Sequence, residues 1–131
     1  MSEVGVEGVW PYCDLAHLAH VELLTPKLEQ SLYFFSEVMG LTVSDTAADA
    51  VYLRGWDDYE HHTLKLTAAS RPGLGHFAFR VRSPEALARR VRLVQQSGLG
   101  QGWVEDERGH GPAYRFATPD GHLMELYYET T

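Results

Sequence analysis

The chain has 131 residues, 44% of them apolar, and a formal net charge of −7. This length suits one domain with its own core, and this composition excludes a disordered chain. The negative charge speaks against a nucleic-acid surface, no run is apolar enough to span a membrane, and the single cysteine, Cys13, excludes an intrachain disulfide and suits a reducing cytoplasm.

Residues 1–14 show no regular period and no signal-peptide pattern. Trp10 and Tyr12 would leave apolar area in water unless covered, so this stretch reads as an amino-terminal arm that packs on a neighbouring module or subunit. A strand then carries Leu18-Ala19-His20-Val21-Glu22-Leu23. Thr25-Pro26 reads as a helix start, a hydroxyl N-cap followed by proline at the first helical position. Leu28, Leu32, Phe35 and Met39 give a helix-period stripe, ended by Gly40-Leu41. Strands are predicted over 41–46, 50–56 and 62–67. The acidic turn before the last of these is read as a solvated cluster.

The same order then recurs. Leu74-Gly75-His76-Phe77-Ala78-Phe79 matches the first strand, and Ser83-Pro84 matches Thr25-Pro26. Leu87, Val91 and Val94 form the second stripe, and Gly98-Leu99 ends it. Strands are predicted over 102–106, 113–117 and 122–128, with Thr118-Pro119-Asp120-Gly121 as the turn between the last two. The arginines at 80, 82, 89, 90 and 92 read as a solvated face. Residues 100–112, glycine-rich and charged, read as a loop near the cleft. The internal repeat predicts an α+β fold. Two paired βαβββ modules, at about 15–69 and 74–128 of a single domain spanning 15–131, form a curved mixed sheet around a cleft with the helices outside.

Period-two alternation then sorts the faces. His20, His76 and Glu125 fall on the inner face, opposite the large apolar residues that pack on the helices. Arg80 and Tyr127 share that inner face and are candidate substrate contacts. A strand histidine alone is commonly just a satisfied polar group. Here two of the three residues are repeat equivalents, and two imidazoles with one carboxylate are the ligand set of non-heme Fe(II) sites that keep an open face. The repeat equivalent of Glu125 is Lys65, with Thr63 the nearby alternative. Neither suits a divalent ion, so the repeat offers three ligands rather than four. By the same alternation His62 falls with Leu64 and Leu66 on the other face, unless a twist or bulge re-aims it.

The segments His20-Val21-Glu22-Leu23-Leu24, Tyr52-Leu53-Arg54-Gly55, His61-His62-Thr63-Leu64, Gly75-His76-Phe77-Ala78-Phe79 and Thr118-Pro119-Asp120-Gly121-His122, running into Met124-Glu125-Leu126-Tyr127, resemble the vicinal oxygen chelate superfamily. Within it the chain resembles the type I extradiol, or catechol 2,3-, dioxygenases, and its wording resembles their amino-terminal domain. The resemblance implies Fe(II), or Mn(II), held by His20, His76 and Glu125. It implies a catechol-type aromatic diol and O₂ as substrates, and His62 as the acid/base residue. The family's tyrosine has no matching residue: Arg115 stands in its place, a further candidate for contact with substrate, with Tyr114 one position away. The edges that a curved sheet leaves, together with the Trp10–Tyr12 arm, predict a homo-oligomer, or a chain that works beside a second domain, as two-domain members of the family do. Three other readings belong to the same fold: a non-catalytic structural half of a two-domain dioxygenase, a metal enzyme of the glyoxalase or epimerase type, and a metal-free binding protein of the bleomycin-resistance type.

Overall fold

A computed structural model describes residues 13–105 and 107–130, so the arm over 1–14 lies outside the described residues apart from Cys13 and Asp14. The chain runs β1 (Leu15–Thr25), α1 (Leu28–Tyr33) with a π-helical turn (Phe34–Val38), β2 (Thr42–Thr46), β3 (Ala50–Arg54) and β4 (Leu64–Ala68). It then repeats as β5 (Gly73–Val81), α2 (Pro84–Ser97), β6 (Gly100–Val104), β7 (Ala113–Ala117) and β8 (Leu123–Tyr127). All eight strands form one mixed sheet in the order β2-β3-β4-β1-β5-β8-β7-β6. Each module pairs its first strand in parallel with its last, and β1 and β5 meet antiparallel at the centre. The two halves are thus related by an approximate two-fold axis between β1 and β5, the α+β architecture that the repeat predicts.

The helix-facing side of the sheet holds the two larger apolar clusters, one per module. Val51, Leu53 and Leu66 pack with Leu28, Leu32 and Phe35 of the first helical segment. Val81, Ala86 and Leu126 pack with Phe79 and Leu87. Phe79, Val81 and Leu126 are among the apolar positions that alternation assigns to the helix side. The opposite face holds a small cluster of Ala19, Ala78, Ala113 and Tyr127, and around it the buried polar residues gather.

The two helix starts differ. Ser83 caps α2 as expected: its Oγ accepts from the Ala86 amide at 3.0 Å, and Pro84 opens the first turn. Gly98 ends the helix in the left-handed conformation, φ 83°. Thr25 does not cap α1, which begins at Leu28 behind Lys27 with no side-chain cap. β1 runs on through Thr25, and its Oγ accepts from the Lys27 amide at 2.9 Å instead. The Ser36 hydroxyl donates to the Leu32 carbonyl at 2.6 Å within the π-turn that finishes this helix, a bond that competes with the regular ladder.

Candidate metal centre

Two β-bulges set the site. In the β1–β5 ladder, Leu18 faces Phe79 and His20 faces Ala78, so Ala19 is an extra residue on β1. Alternation therefore resets at Ala19, and His17, Ala19, His20 and Glu22 all lie on the inner face. Further along, Glu22 faces His76 and Leu23 faces Leu74, which makes Gly75 the extra residue on β5. Bulges re-aim side chains in this way beside functional sites.

Between the bulges, His20, Ala78, Glu125 and Arg115 form one row across β1, β5, β8 and β7. The small Ala78 side chain, fully buried, leaves the middle of this row open. His76, two residues before it on the same face, fills that space with its imidazole. The His20 and His76 Nε2 atoms lie 2.9 Å apart, and His76 Nε2 lies 3.6 Å from Glu125 Oε1. One donor atom from each of the three residues falls within 4.8 Å of the others. All three are buried, at 2%, 5% and 0% exposure.

The surroundings specify the protonation of the donors. Glu22 Oε1 takes the His76 Nδ1 atom at 2.9 Å. Glu22 itself accepts from Thr67 Oγ1 at 2.6 Å and pairs with Lys65 at 3.6 Å. Burial pushes the Glu22 carboxyl up, but the bonds from His76 and Thr67 and the Lys65 charge outweigh it and hold it at about 2. Burial, then the charges of His62 and His76, push His20 far down, so its ring is neutral. Burial pushes the Glu125 carboxyl up, with the Glu107 charge adding to this and His76 and Arg115 opposing it. Arg115 Nε donates to Glu125 Oε2 at 2.6 Å, whereas Glu125 Oε1 is buried without a hydrogen-bond partner.

These features fit a divalent cation. Two imidazole nitrogens and a carboxylate oxygen without a hydrogen-bond partner among the described residues converge on one point, and such ligands bind a metal in their deprotonated forms. Lys65, the repeat equivalent of Glu125, is paired with Glu22 and contributes no donor.

His62 lies ahead of β4 rather than within it, so strand alternation does not govern its direction. Its ring packs against His20 at a 37° tilt with centroids 4.4 Å apart, and its Nδ1 shares a hydrogen bond with His61 Nδ1 at 2.8 Å. Burial, then the His61 charge, lower His62 to about 3. With His20, Tyr52, Lys65, His76, Glu107, Arg108 and His110 it lines a cavity of about 10 Å³, room for a single water.

The other three expected site residues lie around this cavity rather than in its lining, and their polar groups are engaged. Tyr127 donates from its hydroxyl to Glu60 Oε1 at 2.5 Å, and His17 Nε2 binds the other Glu60 oxygen at 2.7 Å. Burial and Glu60 push the Tyr127 phenol well above its ordinary range. Arg80 donates to the Tyr128 carbonyl at 3.0 Å and stacks over Tyr59. Arg115 bridges Glu125 and Glu107.

Sequence reasoning passed over Glu107, His110 and Tyr52. Glu107 and His110 come from the loop between β6 and β7, where His110 Nε2 lies 3.1 Å from Glu107 Oε1 and 3.9 Å from Glu125 Oε1. Burial lowers His110, but the bond to Glu107 and the Gly111 carbonyl outweigh it and hold it above the ordinary histidine range. The His110 ring stacks on Tyr127 at 4.2 Å. Arg108 fastens the loop across the cleft, 3.0 Å from both oxygens of Asp45 on β2. The signal for this cluster was the Glu107-x-x-His110 spacing inside an otherwise glycine-rich loop.

Paired βαβββ modules that share one sheet are the architecture of the vicinal oxygen chelate class, and the His/His/Glu cluster on the inner face is the ligand set expected from the resemblance to its extradiol dioxygenases. Within that class the chain is similar to type I extradiol dioxygenases, and its second half to their amino-terminal domain. Residues 74–131 match the family model described as the catechol 2,3-dioxygenase-like N-terminal domain. The chain is 52% identical over 119 residues to a metapyrocatechase of Geobacillus stearothermophilus, covering 91% of this chain and 36% of that protein. It is 38% identical over 118 residues to a manganese-dependent 2,3-dihydroxybiphenyl 1,2-dioxygenase of Geobacillus genomosp. 3, covering 88% and 38%. A structure of homoprotocatechuate 2,3-dioxygenase from Brevibacterium fuscum in complex with 3,4-dihydroxyphenylacetate superposes with a TM-score of 0.85 at 34% identity, covering 92% of this chain and 39% of that one. The chain thus spans little more than a third of the length of these relatives. Among the described residues no helix is long and apolar enough to cross a membrane.

Proposed function

We propose that this chain is a domain of an extradiol ring-cleavage dioxygenase that opens a catechol-type aromatic diol with O₂, and that His20, His76 and Glu125 hold its Fe(II) or Mn(II). The observation that carries this reading is the convergence of those three donors, with Glu125 Oε1 buried and lacking a hydrogen-bond partner among the described residues. A metal held by these residues would bring the diol and O₂ together and let electron density pass between them. His62 lines the same cavity and is the candidate for moving the diol proton. Its depression to about 3 comes first from burial, so admitting a diol and solvent would return it toward the ordinary histidine range. Arg115 serves by holding Glu125 Oε2 so that Oε1 faces the histidines.

In this proposal residues 15–131 are one domain with modules at about 15–69 and 74–128. The arm over 1–14 packs on a second domain or on another copy in a homo-oligomer, and the protein works in the cytoplasm. A glyoxalase-type four-ligand centre is disfavoured, because Lys65 stands at the fourth position and is paired with Glu22.

The cavity of about 10 Å³ favours a second reading, in which this domain is the non-catalytic half of the enzyme. Specific pockets for small molecules run to about 300 Å³ or more. For a diol to enter, Glu107 and Arg108 would have to withdraw with their loop.

Anaerobic loading with Fe(II) or Mn(II), then addition of catechol and air, tests both readings, with this chain and the full-length gene product assayed side by side. The first reading expects one metal per chain and the yellow ring-cleavage product from both, lost on His20→Ala. Metal binding and product confined to the longer protein would establish the second reading. No binding and no product from either would overturn both.

A further inference from the structure

We infer that Glu22 is the positioning residue of the metal centre: it fixes the tautomer of His76 so that Nε2 offers its lone pair to the ion, and Gly75 exists to make room for it. This rests on the proposed metal ligation by His20, His76 and Glu125.

Glu22 and His76 are direct partners across β1 and β5, and Glu22 Oε1 lies 2.9 Å from His76 Nδ1. A carboxylate at that atom keeps the proton on Nδ1. The lone pair is then left on Nε2, which is the nitrogen facing His20 Nε2 at 2.9 Å and Glu125 Oε1 at 3.6 Å. Without the carboxylate, His76 would gain by protonating Nε2 and donating to the Glu125 oxygen, and its lone pair would then point away from the site. A carboxylate behind a ligating histidine orients the ring and raises the basicity of the ligand nitrogen.

Glu22 is held in its turn from β4. Thr67 Oγ1 donates to its second oxygen at 2.6 Å, and Lys65 stands 3.6 Å from that same atom. Lys65, directly opposite Glu22 in the parallel β1–β4 ladder, occupies the place a fourth ligand would take. The repeat thus supports an existing ligand where it could have supplied another.

Gly75 gives a second, independent indication. It is the extra residue of the β5 bulge, and a Cβ added there would run into the Glu22 carboxylate and its Cγ. Its backbone does not need a positive φ, so the glycine answers to space and not to conformation. The space is the place where the Glu22 carboxylate crosses the bulge to reach His76.

The test combines nitrogen-15 NMR of the histidine rings in the metal-free protein with Mn(II) titration by calorimetry. The wild type, Glu22→Gln, Glu22→Asp and Gly75→Ala are compared, each first checked for native circular dichroism. The expected result is an Nδ1–H tautomer for His76 in the wild type, lost in Glu22→Gln. Mn(II) affinity should fall roughly 10- to 100-fold in Glu22→Gln and Gly75→Ala, with partial rescue in Glu22→Asp. An Nε2–H tautomer in the wild type would overturn the inference. So would Mn(II) affinity in Glu22→Gln equal to that of the wild type, and this outcome leaves the metal site itself standing. Failure of the wild type to bind Mn(II) or Fe(II) at all would overturn the underlying metal assignment together with the role given to Glu22.

Discussion

Arg115 and Glu125 face each other across the β7–β8 hairpin, with Arg115 Nε donating to Glu125 Oε2 at 2.6 Å. The resemblance to extradiol dioxygenases leads one to expect a tyrosine where Arg115 stands. What stands there instead neutralises a fully buried carboxylate and ties it to Glu107 on the β6–β7 loop.

Replacing Arg115 with methionine removes the cation and leaves Glu125 buried beside His76, His110 and a second carboxylate, Glu107. Burial already pushes this carboxyl up, so the variant should push it further. Losing a hydrogen bond to a buried charged group costs on the order of 2 kcal/mol. The expected outcome in urea unfolding at pH 7 is a loss of that order, recovered in part by Arg115→Met/Glu125→Gln, where no buried charge is left. A single variant as stable as the wild type would show that the pair contributes nothing net.

Asp14 ties the start of β1 to α2. Arg89 makes two hydrogen bonds to it, both at 2.9 Å, and Arg90 stands 2.9 Å from one oxygen. The Arg89 bond, opposed by burial and helped by the charges of Arg89 and Arg90, holds the Asp14 carboxyl below its ordinary value. A depressed carboxyl adds stability that is fully present above the unfolded value of 3.8 and is lost as pH falls through the folded value. Asp14→Asn should therefore cost about 1–2 kcal/mol at pH 7, a figure kept low because the arginines are partly exposed. The difference from wild type should close as pH falls below 3.8 and through the depressed folded value. A gap of constant size from pH 7 to pH 2 would mean that the charge of Asp14 is irrelevant.

The paired hydroxyl-proline landmarks allow a sharper comparison. Ser83→Ala removes a real cap, worth about 1 kcal/mol, and should lower the melting temperature by roughly 4 °C. Thr25→Ala removes the bond from the exposed Lys27 amide and a 3.1 Å bond to the Ser31 hydroxyl, neither of them a backbone cap, and should cost less than about 0.5 kcal/mol. Thermal denaturation of the two variants in parallel decides it, and equal losses would mean that Thr25 caps α1 in solution.

That contrast marks what could be read from the chain. Leu74-Gly75-His76 repeats Leu18-Ala19-His20, so the modules, the strand order within them and the shared face of His20, His76 and Glu125 were legible from spacing. The two strand bulges were not, because an extra residue changes pairing without changing composition. They reset the alternation that assigns faces, and they place Glu22 opposite His76. His62 was misassigned to a strand face because its segment was extended by two residues; β4 begins at Leu64. Glu107 and His110 reach Glu125 only through the path of a loop, and no periodicity describes that path. Thr25 and Ser83 are equivalent in sequence. They differ in the fold because β1 keeps its pairing with β4 as far as the Thr25–Ala68 register.

Acid should destabilise this protein in two pH windows, through His62 and His20 first and through Glu22 and Glu107 below them. His62 is held at about 3 against an ordinary 6.5, by burial first and then by the charges of His61 and His110; His20 is lowered further, again by burial first. Between those limits the unfolded chain binds protons that the folded chain refuses. Stability therefore rises with pH through this window and is complete above 6.5, by up to about 1.4 kcal/mol per pH unit for each histidine. Glu22 and Glu107 are both held at about 2 against 4.5; each is raised by burial but lowered more by its partners, first His76 for Glu22 and His110 for Glu107. They act in the same sense but only below about pH 4.5. His110, raised, acts oppositely: its contribution is present below 6.5 and is lost as pH climbs through its folded value. Urea midpoints of the metal-free protein should be highest near neutrality and begin to fall at about pH 6.5, before any of these carboxylates titrates. His62→Gln should flatten the slope between pH 6.5 and 4.5, whereas Glu22→Gln should alter only the part below 4.5. A midpoint that stays level from pH 7 to pH 4.5 would show that the two histidines are not held neutral in the folded protein.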